Sequence, residues 1–175
     1  TRFNIDYNRT ISLGYPKLDY FVYSDSKNNL DKVLDLDTSK YNKIIYYMPT
    51  FRKGCNRKQE TNVNENNILN LNEYDENMLF NYLQKNNYLL CIKKHPSEEI
   101  DFKYVENDNI RIIKDSVMEE KQITINEIMN AADLMITDYS SLGIEFIFLN
   151  KPVVYITKYI EEYRKNRGIT FDNPD

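Results

Sequence analysis

Three short polar segments of this 175-residue sequence carry the residues best suited to chemistry, and each of them follows an apolar run. PTFR occupies positions 49–52, KKHP positions 93–96 and TDYSS positions 137–141. Together they contain hydroxyls, cationic side chains, a carboxylate and the single histidine of the chain. Hydroxyl, guanidinium, ammonium and imidazole groups donate hydrogen bonds that bind phosphate oxygens. If the three segments meet in space, they predict a site for an anionic, phosphorylated ligand.

The elements around these segments predict how they meet. Each preceding apolar run is short and continuous, which is typical of a strand buried on both faces of a parallel sheet. Residues at helical spacing separate the runs, and strands that alternate with helices indicate right-handed βαβ units. We therefore predict an α/β fold built on a Rossmann-like parallel sheet. The predicted strands are 44–48, 88–92, 110–113, 134–137 and 153–156, and the predicted helices are 72–85, 126–132, 141–149 and 158–165.

The first part of the chain has weaker patterning. Residues 1–40 are predicted to form an N-terminal connecting segment, with a linker at 31–40. One Rossmann-like domain is predicted at 41–175. The sequence starts at Thr1 without an initiator methionine, so we expect it to be a fragment of a larger protein.

In an open parallel sheet, ligands bind beyond the carboxyl ends of the strands, where all three polar segments lie. The last segment also precedes a predicted helix, whose free backbone amides and dipole favour phosphate. Ser140, Ser141 or Asp138 could instead serve only to cap that helix. His95 could order a turn, and Arg52 could be a solvated charge. The candidate site residues are Thr50, Arg52, Lys93, His95, Asp138, Ser140 and Ser141.

Composition and motifs argue against several classes of function. The formal net charge of -4 disfavours broad nucleic-acid binding, which needs a basic face. Neither a Gly-x-Gly-x-x-Gly motif nor a P-loop motif occurs. Cys55 and Cys91 lack the spacing of metal ligands, so no protein-bound metal is predicted, and Cys91, in an apolar run, is predicted to be a core thiol. No apolar stretch approaches the ~20 residues that span a bilayer.

Several motifs occur in an order that resembles a known family. YMPTFR lies at 47–52, KKHP at 93–96, ADLMITDYSS at 132–141, KPVVY at 151–155 and YRKNRG at 163–168. Near the start, LGYPKLD lies at 13–19. In this order and spacing they resemble the CDP-glycerol glycerophosphotransferases, the primases and polymerases of teichoic acid synthesis and related capsule enzymes. The similarity covers nearly the whole chain.

The resemblance implies a GT-B fold of two Rossmann-like domains, of which this chain is similar to the C-terminal, nucleotide-donor-binding one. It implies a transferase, without cofactor or metal, that moves glycerol phosphate from CDP-glycerol to an acceptor hydroxyl in teichoic acid or capsular polymer synthesis. Implied partners are a CDP-alcohol donor, a polymer or lipid-linked acceptor and a separate N-terminal domain, but no nucleic acid. The implied location is cytoplasmic, at the inner face of the cell membrane in the full-length enzyme. The donor-binding residues implied are Lys17, Thr50, Arg52, Lys93, His95, Asp138, Ser140 and Ser141, with His95 stabilising the phosphates.

The sequence departs from the family pattern at three points. Lys17 replaces an arginine and loses its bidentate geometry, and Glu145 replaces an aspartate. The family's His-Gly-Thr segment, which carries its expected general base, has no counterpart. We therefore expect the 175-residue chain to bind donor but to turn over little or nothing alone. CDP-ribitol or another CDP-alcohol is an alternative donor; the alternative functions are a GT-B glycosyltransferase that uses a nucleotide sugar and a non-catalytic nucleotide-binding domain.

Overall fold

The computed structural model describes residues 7–9, 11, 13–50, 69, 74–93, 106–157 and 160–161. Within these ranges, six α-helices and five β-strands alternate along most of the chain. The helices are α1 (Leu18–Tyr23), α2 (Ser26–Leu34), α3 (Glu76–Asn86), α4 (Asp115–Glu120), α5 (Ile125–Ile128) and α6 (Ser141–Ile147). The strands are β1 (Lys43–Tyr47), β2 (Tyr88–Ile92), β3 (Ile110–Ile112), β4 (Leu134–Thr137) and β5 (Val153–Tyr155), and short 3-10 helices occur at Tyr7–Arg9, Thr38–Lys40 and Met129–Ala131.

The five strands form one parallel sheet in the order β3-β2-β1-β4-β5. The order reverses at β1, because the chain moves to one side for β2 and β3 and to the other side for β4 and β5. Such a reversal opens a crevice at the carboxyl ends of the two central strands. Tyr47 lies opposite Ile92 on one side and Ile136 on the other, so the segments after β1, β2 and β4 leave the sheet as neighbours.

Helices cover both faces of the sheet. On one face, Tyr46 and Met135 pack with Phe21 of α1, Leu30 of α2 and Phe146 of α6. On the other face, Tyr47 and Leu90 pack with Leu83 of α3. Burial on both faces explains why the central strands are continuous apolar runs rather than alternating ones. Cys91 of β2 is a free, buried thiol, as predicted, and burial raises its pKa well above its usual value.

The predicted linker at 31–40 is wrong. Residues 31–34 complete α2, whose Leu30 and Val33 are buried, and Thr38–Lys40 is a 3-10 helix. Asp31 ties the two pieces together, because its carboxylate accepts hydrogen bonds from the backbone N–H and hydroxyl of Thr38. The boundary between residues 40 and 41 stays a prediction. The five predicted strands are confirmed to within a residue at each end.

Helix boundaries differ more. Helix α3 begins at Glu76 rather than at residue 72, because Asp75 caps it by accepting the backbone N–H of Asn77 at 2.8 Å. The predicted helix at 126–132 is split into α5 and the following 3-10 turn. The predicted helix at 158–165 lies mostly outside the described residues. The two residues of it that are described, 160–161, are helical.

An aspartate fixes the amino end of β4 to the start of β1. One carboxylate oxygen of Asp133 accepts the backbone N–H of Ile44 at 2.9 Å, and the other pairs with the Lys43 ammonium at 3.0 Å. Desolvation raises the pKa of Asp133, but these bonds lower it by more, so the net pKa lies below its usual value. The carboxylate therefore stays ionised and holds the register of the two central strands.

Helix α6 lies tightly against β4 at Gly143. A methyl group added at Gly143 would lie 2.8 Å from Cγ2 of Thr137 and 3.0 Å from the Tyr155 hydroxyl. Thr137 cannot rotate away without a cost, because its hydroxyl donates to the carbonyl of Met48 at 2.6 Å. Glycine at this helix position is therefore a packing requirement.

Replacing Gly143 with alanine is expected to lower the free energy of unfolding by about 1–3 kcal/mol, the usual cost of overpacking. Without the contact, the same change in a helix would raise stability by about 0.5–1 kcal/mol, so the sign is diagnostic. Urea unfolding measures it, with Ile147→Ala on the exposed side of α6 as a control expected to change stability by less than about 0.5 kcal/mol. A Gly143→Ala variant as stable as the native chain would contradict the close packing.

Candidate functional site

The crevice between β1 and β4 brings together residues from the first and third polar segments. Thr50 lies three residues beyond the end of β1, and Asp138, Ser140 and Ser141 follow β4 directly. Lys93 lies next to them, immediately after β2. Arg52 and His95, also predicted at the site, lie outside the described residues. The structure thus places five of the seven candidates at one edge of the sheet.

Asp138 is the link between the two sides of the crevice. Its side chain is buried, and its Oδ1 accepts the backbone N–H of Thr50 at 2.6 Å and the Thr50 hydroxyl at 2.8 Å. The same oxygen accepts the backbone N–H of Tyr139 at 2.7 Å. Hydrogen bonds to an ionised acceptor are roughly twice as strong as neutral ones. Asp138 therefore holds the segment after β1 against the segment after β4.

Backbone pairing extends beyond the strands at the same edge. Met48 donates its N–H to the carbonyl of Ile136, and Lys93 donates to that of Tyr47, both at 3.0 Å. The hydrogen bond from the Thr137 hydroxyl to the carbonyl of Met48 is a second link between β4 and the segment after β1. The crevice floor is consequently fixed by hydrogen bonds across all three adjacent strands before any ligand is present.

The two serines have different surroundings. Ser140 is the N-cap of α6, as one of the sequence alternatives predicted, and its Oγ accepts the backbone N–H of Leu142 at 3.3 Å. Because that bond uses a lone pair, the hydroxyl proton of Ser140 can still be donated to a ligand. Ser141, the first residue of α6, is exposed. Because α6 has only seven residues, the serine hydroxyls are a clearer source of attraction for an anion than the dipole of the helix.

Lys93 is held by a partner that the sequence did not reveal. Its ammonium lies 2.8 Å from Oδ1 of Asp115, the first residue of α4, and the lysine side chain is 10% exposed. Asp115 comes 22 residues later in the chain, so no local pattern connects the two. The pairing places a fixed cation at the end of β2.

Lys17 reaches α6 from the other part of the chain. Its ammonium pairs with Oε1 of Glu145 at 2.5 Å and lies 4.7 Å from the ring centre of Tyr15. Desolvation lowers the pKa of Lys17, but the bonds to Glu145 and Tyr15 raise it by more, so the ammonium stays charged. Neither Glu145 nor Tyr15 was predicted at the site. The one available signal was a carboxylate inside the otherwise apolar SLGIEFI of α6.

The described residues contain neither a metal-binding cluster nor a helix that could span a membrane. In the described ranges, no group of three or more His, Cys, Asp and Glu side chains is arranged to bind a metal ion. No helix in the same part of the chain is both long and apolar enough to cross a bilayer.

Comparison with known proteins gives consistent matches. The family described as CDP-Glycerol:Poly(glycerophosphate) glycerophosphotransferase matches residues 1–175. A teichoic acid glycerol-phosphate primase of Bacillus subtilis (strain 168) is 29% identical over 167 residues, and a teichoic acid ribitol-phosphate primase of Bacillus spizizenii is 27% identical over 174 residues. The alignments cover 95% and 97% of this chain but only 38% and 40% of those relatives, so the chain spans well under half of their length.

A solved structure shares the fold. The wall teichoic acid polymerase TagF superposes with a TM-score of 0.66 at 24% identity, covering 98% of this chain and 39% of the polymerase chain. A variant of TagF soaked with CDPG gives a TM-score of 0.62 at 25% identity, covering 96% and 38% of the two chains. The predicted α/β fold, resembling half of a GT-B transferase, is confirmed.

Replacing Asp138 with asparagine should lower the free energy of unfolding by about 2–4 kcal/mol. The amide keeps one acceptor but loses the charge, and hydrogen bonds to a charged group contribute about 1.5–3 kcal/mol. Asp133→Asn is the matched control at the other end of β4, and its loss should be smaller because its side chain is 39% exposed. Chemical denaturation measures both variants. Equal losses of unfolding free energy in the two variants would mean that the bonds of Asp138 stabilise the fold no more than those of the partly exposed Asp133.

Proposed function

This chain belongs to the CDP-glycerol:poly(glycerophosphate) glycerophosphotransferase family, and we propose that it forms the donor-binding part of an enzyme that transfers glycerol phosphate from CDP-glycerol to an acceptor hydroxyl. The acceptor we propose is a teichoic acid or capsular polymer. The observation that carries the proposal is the meeting of Thr50, Asp138 and Ser140 at the reversal point of the sheet. Nucleotide ligands bind at such points.

In the proposed reaction, an oxygen of the acceptor attacks the β-phosphorus of CDP-glycerol. A new P–O bond forms to the acceptor, the bond from the β-phosphorus to the bridging oxygen breaks, and CMP leaves with that oxygen. Such a transfer depends on positioning and on stabilising charge at the phosphoryl oxygens. The acceptor proton passes to a general base that we expect in the part of the longer relatives that this chain does not span.

The residues of this chain have separate tasks in that scheme. The Ser140 hydroxyl donates to a phosphate oxygen while its own oxygen caps α6, and Ser141 presents a second hydroxyl. The ammonium groups of Lys17 and Lys93 face the negative charge of the diphosphate, and Asp115 holds that of Lys93 in place. Arg52 and His95 are proposed to complete the set by their positions in the sequence.

Thr50 has a positioning task in this arrangement. Both its backbone N–H and its hydroxyl proton are donated to Asp138. Asp138 therefore orders Thr50 and fixes the point from which the chain continues to Arg52. The two residues were predicted to bind substrate directly, and we propose that they act mainly by ordering the crevice.

A nucleotide-activated donor and a growing polymer suggest where the enzyme works. We infer that it acts in the cytoplasm, at the inner face of the cell membrane, where a lipid-linked acceptor would be accessible. A transferase that uses a nucleotide sugar, an alternative left open by the sequence, is not favoured, because the family and the relatives are named for glycerol-phosphate or ribitol-phosphate transfer.

Calorimetry on the 175-residue chain tests the donor. CDP-glycerol should bind more tightly than CMP or a UDP-sugar. Ser140→Ala and His95→Ala should each weaken CDP-glycerol binding by about 10- to 100-fold, because each loses a hydrogen bond to a charged oxygen worth about 1.5–3 kcal/mol. Ser39→Ala is the matched control: its hydroxyl bonds Asp37 in the turn just before β1, at the opposite edge of the sheet.

The control should retain native affinity. If Ser140→Ala and His95→Ala also retain it, the phosphates are bound elsewhere. If a UDP-sugar binds more tightly than CDP-glycerol, the donor is a nucleotide sugar and the proposed reaction is wrong.

A further inference from the structure

Glu145 is a buried carboxylate that the proposed reaction does not use. The residue is 7% exposed and lies in α6 between Ile144 and Phe146. Its Oε1 pairs with Lys17, whereas Oε2 is buried without a hydrogen-bond partner among the described residues. A buried charge is costly unless it is paired. Lys17 is therefore the main compensation for this carboxylate, and the two side chains are strongly coupled.

The two side chains differ in exposure, and Lys17 is the one better placed to contact a ligand. The Glu145 side chain is 9% exposed, whereas the Lys17 side chain is 30% exposed. An ammonium has three N–H donors, so its bonds to Glu145 and Tyr15 leave one donor for another anion. The Tyr15 ring, 4.7 Å from the ammonium, restricts it further. Thus Glu145 holds the lysine from inside the protein, while part of the lysine side chain remains exposed.

The position of the pair connects it with the crevice. Glu145 follows Ser141 by four residues, so both lie on the same side of α6, about 6 Å apart between their Cβ atoms. Lys17 enters from the turn before α1, which is shaped by Gly14 at a φ of +88°. The ammonium is consequently bound on the side of α6 that carries Ser141.

We propose that Glu145 is a positioning residue that fixes the Lys17 ammonium against a phosphate of the bound nucleoside diphosphate. The inference rests on the proposed function, since the anion is the diphosphate of the CDP-alcohol donor. Glu145 adds a negative charge near an anion, which by itself opposes binding. Its contribution is to restrict a flexible side chain, so that less conformational entropy is lost when the phosphate binds.

The first comparison is Glu145→Gln in the 175-residue chain, with CDP-glycerol binding measured by calorimetry. If Glu145 positions Lys17, affinity should fall by about tenfold, the effect of losing one charge-assisted bond. If Glu145 only adds unfavourable charge, affinity should stay the same or rise, and the proposal is wrong. Lys17→Met alone leaves the carboxylate unpaired and can unfold the chain, so Lys17→Met/Glu145→Gln replaces it. The affinity of that double variant for CDP-glycerol should lie within about threefold of the affinity of Glu145→Gln.

Rescue by a conservative pair separates positioning from general damage. Glu145→Asp shortens the carboxylate by one methylene and should weaken binding, and Lys17→Arg in the same chain lengthens the cation and should restore affinity to within about threefold. Urea unfolding confirms that each variant is folded at the assay temperature. A swap that restores stability but not affinity would overturn the positioning role.

Ser140→Ala separates this inference from the proposed function. If the native chain binds CDP-glycerol, Ser140→Ala binds it more weakly and Glu145→Gln binds it with native affinity, only the role of Glu145 is contradicted. Native chain that does not bind CDP-glycerol contradicts the proposed donor, and the inference with it.

Discussion

The arrangement of the crevice depends on one buried carboxylate. Parallel topology brings the ends of β1 and β4 together, but the chain then continues from them toward helices on opposite faces of the sheet. Asp138 prevents the two exits from separating, because a single oxygen binds groups on both sides. Its partner Thr50 is 88 residues away in the sequence. Thr50 and the start of the segment that leads to Ser140 therefore take their positions from this contact.

The described cations near the crevice are few, and each is held in place by a carboxylate. The chain is acidic overall, with a net charge of -4, yet its described cations near the crevice are each paired with a carboxylate. Such pairs contribute little net attraction at long range, and their effect is to fix where the positive charge lies. An anion would meet a prearranged set of donors rather than a strongly positive surface. This explains how an acidic protein can be suited to a diphosphate without being suited to nucleic acid.

Sequence patterns predicted the sheet well because its central strands are buried on both faces, which leaves continuous apolar runs such as Tyr88–Ile92. They also predicted the sheet edge and the capping serine, since both follow from local order along the chain. They missed α2, whose apolar contribution is only a few residues such as Leu30 and Val33 within a polar stretch. They placed Asp138 at the crevice but could not reveal its contact with Thr50, 88 residues away. The Lys17–Glu145 and Lys93–Asp115 pairs were missed for the same reason.

The strand order also has a consequence for how the protein is made. β1 is synthesised before its neighbour β4, which leaves the ribosome only after α3, β2, β3, α4 and α5. At about 5–20 residues per second, the 88 residues between Thr50 and Asp138 take roughly 4–18 seconds to translate. During that interval one edge of β1 has no partner strand, and unpaired edges expose nascent chains to misassociation. The crevice therefore forms only after β4 has been synthesised, and chaperone demand should be concentrated in the interval before β4 arrives.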